Sequence, residues 1–486
     1  MSSSSSASIA VCLALALVPR LSAAQGVWAG NPALAFTRVD STAAEVSVAW
    51  RSSSALNSIV EEGDGWRGLS AAGGAIMRPS AGWVAWGDAA YEKGVRSCVV
   101  MSESADFGEV GPMAVADTIG GDKDSEKYAF SAGFAWRRER WMAGLSIGYS
   151  SLCEFRTHDP RPKADAVRAE VRLGGGLMLG RYTFGLSGLL GKYSQEVDVD
   201  FYNAQGASVT VYHMTGLGAD YSRFSGPNAE AAYKGRKVGG GVDFSGPFTV
   251  AAEYSRRHVE KMLPDLHNAM ICETFDDAVS VRLSRAGSLS VWETELSAYA
   301  DAHKLSLDVA IYDDGSTNYR QIATRGPYSQ TERRVGLSAQ MRREAGMPAS
   351  MRSSVACVSV GEENTDVRRK VEVQNVEVAV AASLSHAMGR VTVSWSAGAL
   401  ARANVGKSCA LGVARPTESP AAVAAVREDF LLRSSSAVGL EADVRVEVGL
   451  PSRARSAFVA LSGDRLWRSG DLPVGWGCVA RVGVSL

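Results

Sequence analysis

The sequence predicts an all-β fold: a transmembrane antiparallel β-barrel of about eighteen strands, with fourteen and sixteen as the alternative counts. Three observations predict it. Apolar and polar residues alternate with period two over many segments. These segments run to about ten residues or more and carry aromatics at their ends, as tilted membrane strands with interfacial girdles do. The connections alternate between short and long, the pattern of periplasmic turns and extracellular loops.

Composition narrows the alternatives. The 486 residues carry 51 Lys and Arg against 52 Asp and Glu, a formal net charge of −1. That balance argues against a nucleic-acid partner. With 46% hydrophobic and 21% charged residues the chain is not a disordered one. No run of about 18 apolar residues offers a membrane-spanning helix.

The chain opens with an expected signal peptide over residues 1–24. Its apolar core runs from Ile9 to Val18, and Ser22-Ala23-Ala24 supplies small residues before Gln25. Ser2 to Ser6 lacks the usual basic stretch. Residues 25–43 are expected to form an N-terminal periplasmic segment or plug, and 44–486 the barrel. Cys98, Cys153, Cys272, Cys357, Cys409 and Cys478 are irregularly spaced without a CxxC, and read as small hydrophobic side chains.

The strands follow in order. Tyr128, Phe130, Ala132, Phe134 and Trp136 alternate with Ala129, Ser131, Gly133 and Ala135. Trp141, Ala143, Leu145, Ile147 and Tyr149 repeat the pattern, as do Val167, Ala169, Val171 and Leu173, then Tyr182, Phe184, Leu186 and Leu190. Near the end, Leu440, Ala442, Val444, Val446 and Val448 alternate with Glu441, Asp443, Arg445 and Glu447, and Cys478 to Leu486 closes the series. Neighbouring residues of a strand point to opposite faces, so each segment has one apolar and one polar face. A soluble sandwich is the competing architecture.

Short links are expected at 78–82, 137–140, 180–181, 246–247, 285–288, 342–349, 385–389 and 451–455. Longer ones are expected at 52–65, 93–126, 154–165, 202–233, 261–275, 313–331, 362–369 and 404–428, with a briefer one at 468–474. Residues 288–312 read as one long strand, because a hairpin at 301–304 would reverse the later alternation. Starting in the periplasm near Ala44, this gives an even count. The two loops of about thirty residues are expected to fold inward and constrict a pore, to bind a partner outside, or to remain solvated.

Several stretches resemble an uncharacterised, domain-of-unknown-function family of Bacteroides-type outer-membrane barrels. They are Ala85-Trp86-Gly87, the strand from Lys127-Tyr128, Asp159-Pro160-Arg161-Pro162-Lys163, Tyr212-His213-Met214-Thr215-Gly216-Leu217-Gly218 and Lys237-Val238-Gly239-Gly240-Gly241. The resemblance covers roughly residues 83–255. It implies a barrel, an outer-membrane address, outer-membrane lipid around it and barrel-assembly machinery to insert it. It implies no substrate and no catalytic residue. The chain departs from barrel habit by ending in Leu486 rather than an aromatic residue. Separately, Gly30-Asn31-Pro32-Ala33-Leu34 is similar to the Asn-Pro-Ala segment of long-chain fatty-acid transport barrels, which plugs the lumen. An ordinary Asn-Pro turn before the first strand is the alternative the sequence favours.

Charge on the polar faces is the chemistry left to place. Arg168, Glu170 and Arg172 share one face, as do Glu253 and Arg257, and as do Glu441, Asp443, Arg445 and Glu447. A Lys or Arg facing lipid at mid-bilayer costs about 2–4 kcal/mol, so these nine residues are expected in the lumen. There they set solute selectivity or brace the wall. No catalytic motif, metal-ligand spacing or cofactor motif is found. The six histidines, His158, His213, His258, His267, His303 and His386, form no ligand pair, and no HExxH or GxSxG occurs. Gly63 to Gly68 matches GxGxxG but reads as a loop and strand start. Residues 313–318 read as a solvated turn rather than a calcium loop. The expected function is therefore a non-enzymatic, porin-like passive channel or transporter for small solutes. A closed barrel that displays loops or binds a partner is the alternative.

Overall fold

Period-two alternation becomes a ring of paired strands. In the computed structural model, which describes residues 30–486 except 38, 40, 81, 203–209, 227–229, 314–318, 345, 413–417 and 452–454, eighteen antiparallel strands form one sheet whose first and last members pair. The expected signal peptide and most of the candidate calcium turn lie outside the described residues.

The ring begins with β1 (Ala43–Ser54), β2 (Gly65–Ser80) and β3 (Trp83–Val99). A two-residue strand, β4 (Val115–Ala116), lies outside it. It continues with β5 (Gly121–Arg138), β6 (Trp141–Phe155), β7 (Arg161–Leu179) and β8 (Tyr182–Asp200). The short strands β9 (Tyr212–Gly216) and β10 (Ala219–Asp220) join β4 in a separate three-stranded sheet. The wall resumes with β11 (Ala231–Ser245), β12 (Thr249–Leu263), β13 (Ala269–Leu289), β14 (Trp292–Tyr312) and β15 (Gln321–Arg343). It ends with β16 (Ala349–Asn364), β17 (Arg369–Met388), β18 (Val391–Ala410), β19 (Ala437–Gly449), β20 (Ser456–Arg468) and β21 (Gly475–Ser485). A single strand of 21 residues runs from Trp292 to Tyr312 with no hairpin at 301–304, as expected, but Ser288 and Leu289 still belong to β13 and the short turn falls at 290–291 rather than 285–288. Closure removes the free edges a sandwich would keep.

The outer face carries the apolar set. Phe130, Phe134, Leu145, Ile147, Leu186, Leu190, Val444 and Val482 are all exposed there. Aromatic residues bound this band: Trp136 and Trp141 toward the short turns, Tyr128 and Tyr91 (rings 4.9 Å apart) toward the long loops. Tyr128 and Trp136 are separated by eight steps of one strand, about 20 Å of height at ~3.3 Å per residue and ~40° tilt. That is close to the apolar band of about 25 Å that aromatic girdles enclose on outer-membrane barrels, and the fold is a transmembrane barrel.

The loop boundaries differ from expectation. Strands run well into the forecast loops: 93–126 shrinks to 100–120, 261–275 to 264–268, and 313–331 to 313–320. Beyond the bilayer the outer face turns polar, so the apolar–polar contrast fades while backbone pairing continues. The wall therefore rises above the apolar band at the long-loop end. A second difference is the 15-residue helix Pro420–Ser434, placed where a loop was expected.

Loops pack inside this raised wall. Val110, Met113, Ala114 and Val115 are buried against Tyr193, Val197, Tyr233, Val259 and Ile271 of the strands. The Pro420–Ser434 helix buries Ala422 and Ala425 against Met101, Ala116 and Met214. At the other end, the 3-10 helix Pro32–Thr37 buries Ala33, Leu34, Ala35 and Phe36 against Val84, Trp86, Ala135 and Met142 on β3, β5 and β6.

Candidate functional site

The site is the lumen beneath the inward-folded loop of residues 100–120. Its anchor is a buried ionic network. Lys123 of β5 donates to the Ser102 carbonyl at 2.6 Å and pairs with Glu103 at 3.0 Å. Arg156 pairs with Glu103 at 3.2 Å and with Asp117, and donates to the Gly120 carbonyl at 2.9 Å. All four side chains are essentially inaccessible. Such charges are tolerable in the interior only because each is paired. The Arg156 guanidinium and the Gly120 amide hold Asp117 below the usual carboxylate range, against the effect of its burial.

Wall residues then fix the loop's lower edge. Gln195 of β8 accepts the Ala105 and Asp106 amides at 3.0 and 3.1 Å. Lys261 and Tyr233 donate to the Met113 carbonyl at 2.7 and 2.9 Å. The helical turn Phe107–Val110 hangs between them. Its Glu109 meets Arg168 from β7 through one oxygen and Arg257 from β12 through the other, each at 2.5 Å. Arg168 also holds Asp106 at 3.0 Å, and Arg257 holds Asp276 at 2.9 Å.

This turn divides the lumen. On one side lies a cavity of about 650 Å³, lined by Arg51, Asp88, Ser131, Arg168, Glu170 and Arg172 among others. On the other lies one of about 160 Å³, reached by Arg257, Asp276, His303, Glu332 and Asp429. Phe107, Gly108 and Glu109 line both.

The nine forecast residues fall into two groups. Arg168, Glu170, Arg172, Glu253 and Arg257 come together around the turn. Arg172 makes a bidentate pair with Glu253 at 3.0 and 2.8 Å, across β8 and β11, and Glu170 pairs with Lys237 at 3.2 Å. Glu441, Asp443, Arg445 and Glu447 lie on a different wall. Arg445 reaches Glu45 of β1 at 3.1 Å and Glu447 at 3.2 Å, and stacks 3.6 Å from the Phe458 ring centroid. Glu441 faces Asp464 in register on β20, and among the described residues neither it nor Asp443 forms an ion pair.

The sequence reading missed the loop partners: Glu103, Asp106, Glu109 and Asp117. They sit in an irregular stretch without periodicity, and their arginine partners are distant in sequence. It also missed Glu61 and Asp429. These carboxyls meet where residues 55–63 touch the Pro420–Ser434 helix, and Asp429 accepts the Val60 amide at 2.8 Å. Burial and their mutual repulsion push Glu61 well above the usual carboxylate range, and burial pushes Asp429 up to about 6.

The Asn-Pro-Ala segment is more than a turn. Asn31 donates to the Gly175 and Leu186 carbonyls at 3.1 and 3.2 Å, and its own oxygen accepts the Ala33 amide at 3.0 Å. Two wall glycines make room for it. A Cβ at Gly174 would lie 2.0 Å from the Asn31 Oδ1, and one at Gly144 would lie 2.5 Å from the Ala33 nitrogen.

Several solved structures are similar in chain path. The siderophore receptor PiuA from Acinetobacter baumannii is 9% identical, with 92% of this chain and 82% of that one covered and a TM-score of 0.40. The FrpB iron transporter from Neisseria meningitidis (F5-1 variant) is 9% identical, with 95% and 82% covered and a TM-score of 0.39. The copper transporter OprC is 8% identical, with 92% and 81% covered and a TM-score of 0.40. No curated protein matches the chain. A family model matches residues 32–473, almost the whole described barrel, and the chain thus belongs to the family of unknown function DUF6850.

Proposed function

We infer that the protein is an outer-membrane transporter for small polar solutes, closed at rest by its own loop rather than standing open as a passive pore. The observation that carries this reading is the Glu109 clamp. One carboxylate on an inward loop is held by Arg168 of β7 and Arg257 of β12, which flank β8 and β11 in the ring. The apolar band and its aromatic borders suit a bilayer, with the short turns on the periplasmic side, and insertion would then fall to barrel-assembly machinery. The charged cavities on either side of the turn supply donors and acceptors for a polar solute. In this reading the arginines act first as latches and only afterwards as lining.

The test is planar-bilayer recording of the folded protein beside a variant in which residues 103–118 are replaced by a short Gly-Ser linker. The intact protein is expected to be silent and the variant to conduct in discrete steps. Steady conductance from the intact protein would favour the passive pore. Silence from a folded, inserted variant would favour the closed scaffold.

A further inference from the structure

We propose that the outer wall carries a divalent-metal site, with His258 and Glu260 of β12 and Glu273 of β13 as ligands for a zinc-class cation. Residues two apart on a strand share a face. Tyr254 and Val279 of these strands lie exposed on the apolar band, while Arg257, Val259 and Lys261 point into the lumen. His258, Glu260 and Glu273 therefore face outward, above the band on the long-loop side. The three ligand atoms lie within 4.8 Å of one another. The His258 Nε2 is 2.7 Å from a Glu273 oxygen and 3.9 Å from a Glu260 oxygen. Ligands on one zinc ion at 2.0–2.2 Å sit about 3–4 Å apart, so small side-chain rotations complete the set. Looking for paired histidines in sequence misses it, because it uses one.

Two features of the wall point to a cation. Glu260 stands directly opposite Glu273, and Glu273 directly opposite Asp308 on β14, so three carboxylates run side by side across neighbouring strands. Like charges so placed destabilise a sheet unless something neutralises them. Lys234 lies across from Glu260 on β11, yet among the described residues no ion pair joins them. Arg256 leans instead over the Phe275 ring at 5.2 Å and toward Asp277 at 3.9 Å. The second feature is preorganisation. The His258 ring lies flat on Phe275, centroids 4.6 Å apart and planes 2° apart, which fixes its nitrogen toward the two glutamates. Imidazole nitrogen and carboxylate oxygen are both zinc donors, and three protein ligands leave a further position for water.

The test uses the full folded barrel in detergent, stripped with a chelator and titrated with Zn²⁺ against a chromophoric zinc indicator. One ion per chain is expected. His258→Ala and Glu273→Gln should each weaken binding more than tenfold, and His386→Ala should leave it unchanged. Co²⁺ in place of Zn²⁺ should give a visible ligand-field band that His258→Ala abolishes. Resistance of the unboiled variants to unfolding in detergent verifies their fold, and His258→Gln replaces His258→Ala if that variant fails to fold. Undiminished binding in folded His258 and Glu273 variants would overturn the proposal, as would the absence of a stoichiometric ion in the intact protein.

Discussion

Arg257 of β12 holds Glu109 of the inward loop at 2.5 Å, while Arg168 of β7 holds the other oxygen of the same carboxylate. A loop residue is thus held by two strands that are far apart in sequence and separated in the ring by β8 and β11. Hydrogen bonds to charged groups contribute about 1.5–3 kcal/mol each when little exposed. Arg257→Ala should therefore raise local opening of residues 103–118 about ten- to a hundredfold, at 1.4 kcal/mol per tenfold. Amide hydrogen exchange across that loop measures it. Unchanged protection would show that the loop's other holds suffice without Arg257.

The Glu61–Asp429 contact predicts a pH response. Both carboxyls keep their proton at this contact in the folded protein at pH values where they lose it when exposed. Their contribution is complete below the ordinary carboxylate range. For Asp429 it fades as pH climbs from the ordinary carboxylate range through about 6, and Glu61 extends the loss higher. Exchange protection of the Pro420–Ser434 helix should fall over that window. Asp429→Asn should flatten the dependence, and a variant that keeps the wild-type slope would contradict the assignment.

The glycine cradle predicts a steric effect. Gly174→Val forces atoms into the space of the Asn31 carboxamide. Overpacking of this kind costs about 1–3 kcal/mol. Residues 31–39 should then be cleaved by added protease several-fold faster, with the barrel still resistant to detergent unfolding. Equal cleavage rates would mean the segment tolerates the shift.

Arg445 predicts a stability effect rather than a selectivity effect. It joins β19 to β1 through Glu45 across the seam where the ring closes, with both side chains buried. Removing one partner of a buried pair costs about 3–5 kcal/mol. Arg445→Ala should unfold in detergent at a clearly lower temperature, whereas exposed Arg342→Ala should not.

Much of the wall was legible in the sequence because membrane strands declare themselves twice, by alternation and by aromatic ends. The turn at 180–181 and the unbroken run to Tyr312 follow from that signal alone. The interior was not legible for the opposite reason. The Pro420–Ser434 helix is buried among loops, so Ala422, Ala425, Asp429 and Leu432 leave no clean apolar stripe. Its start does carry a signal, Ser419 before Pro420, a favoured opening for a helix. The lumen-facing sides of Arg168 and Arg257 follow from charge and register. Their hold on Glu109 does not, because strand periodicity says nothing about where a loop returns.

Single-channel recording of the intact, folded barrel tests the central claim most directly, with Arg168→Ala/Arg257→Ala alongside it. The account predicts silence from the intact protein and intermittent, discrete openings from the double variant, as Glu109 loses both of its holds. Continuous conductance from the intact protein, unchanged in the double variant, would contradict it.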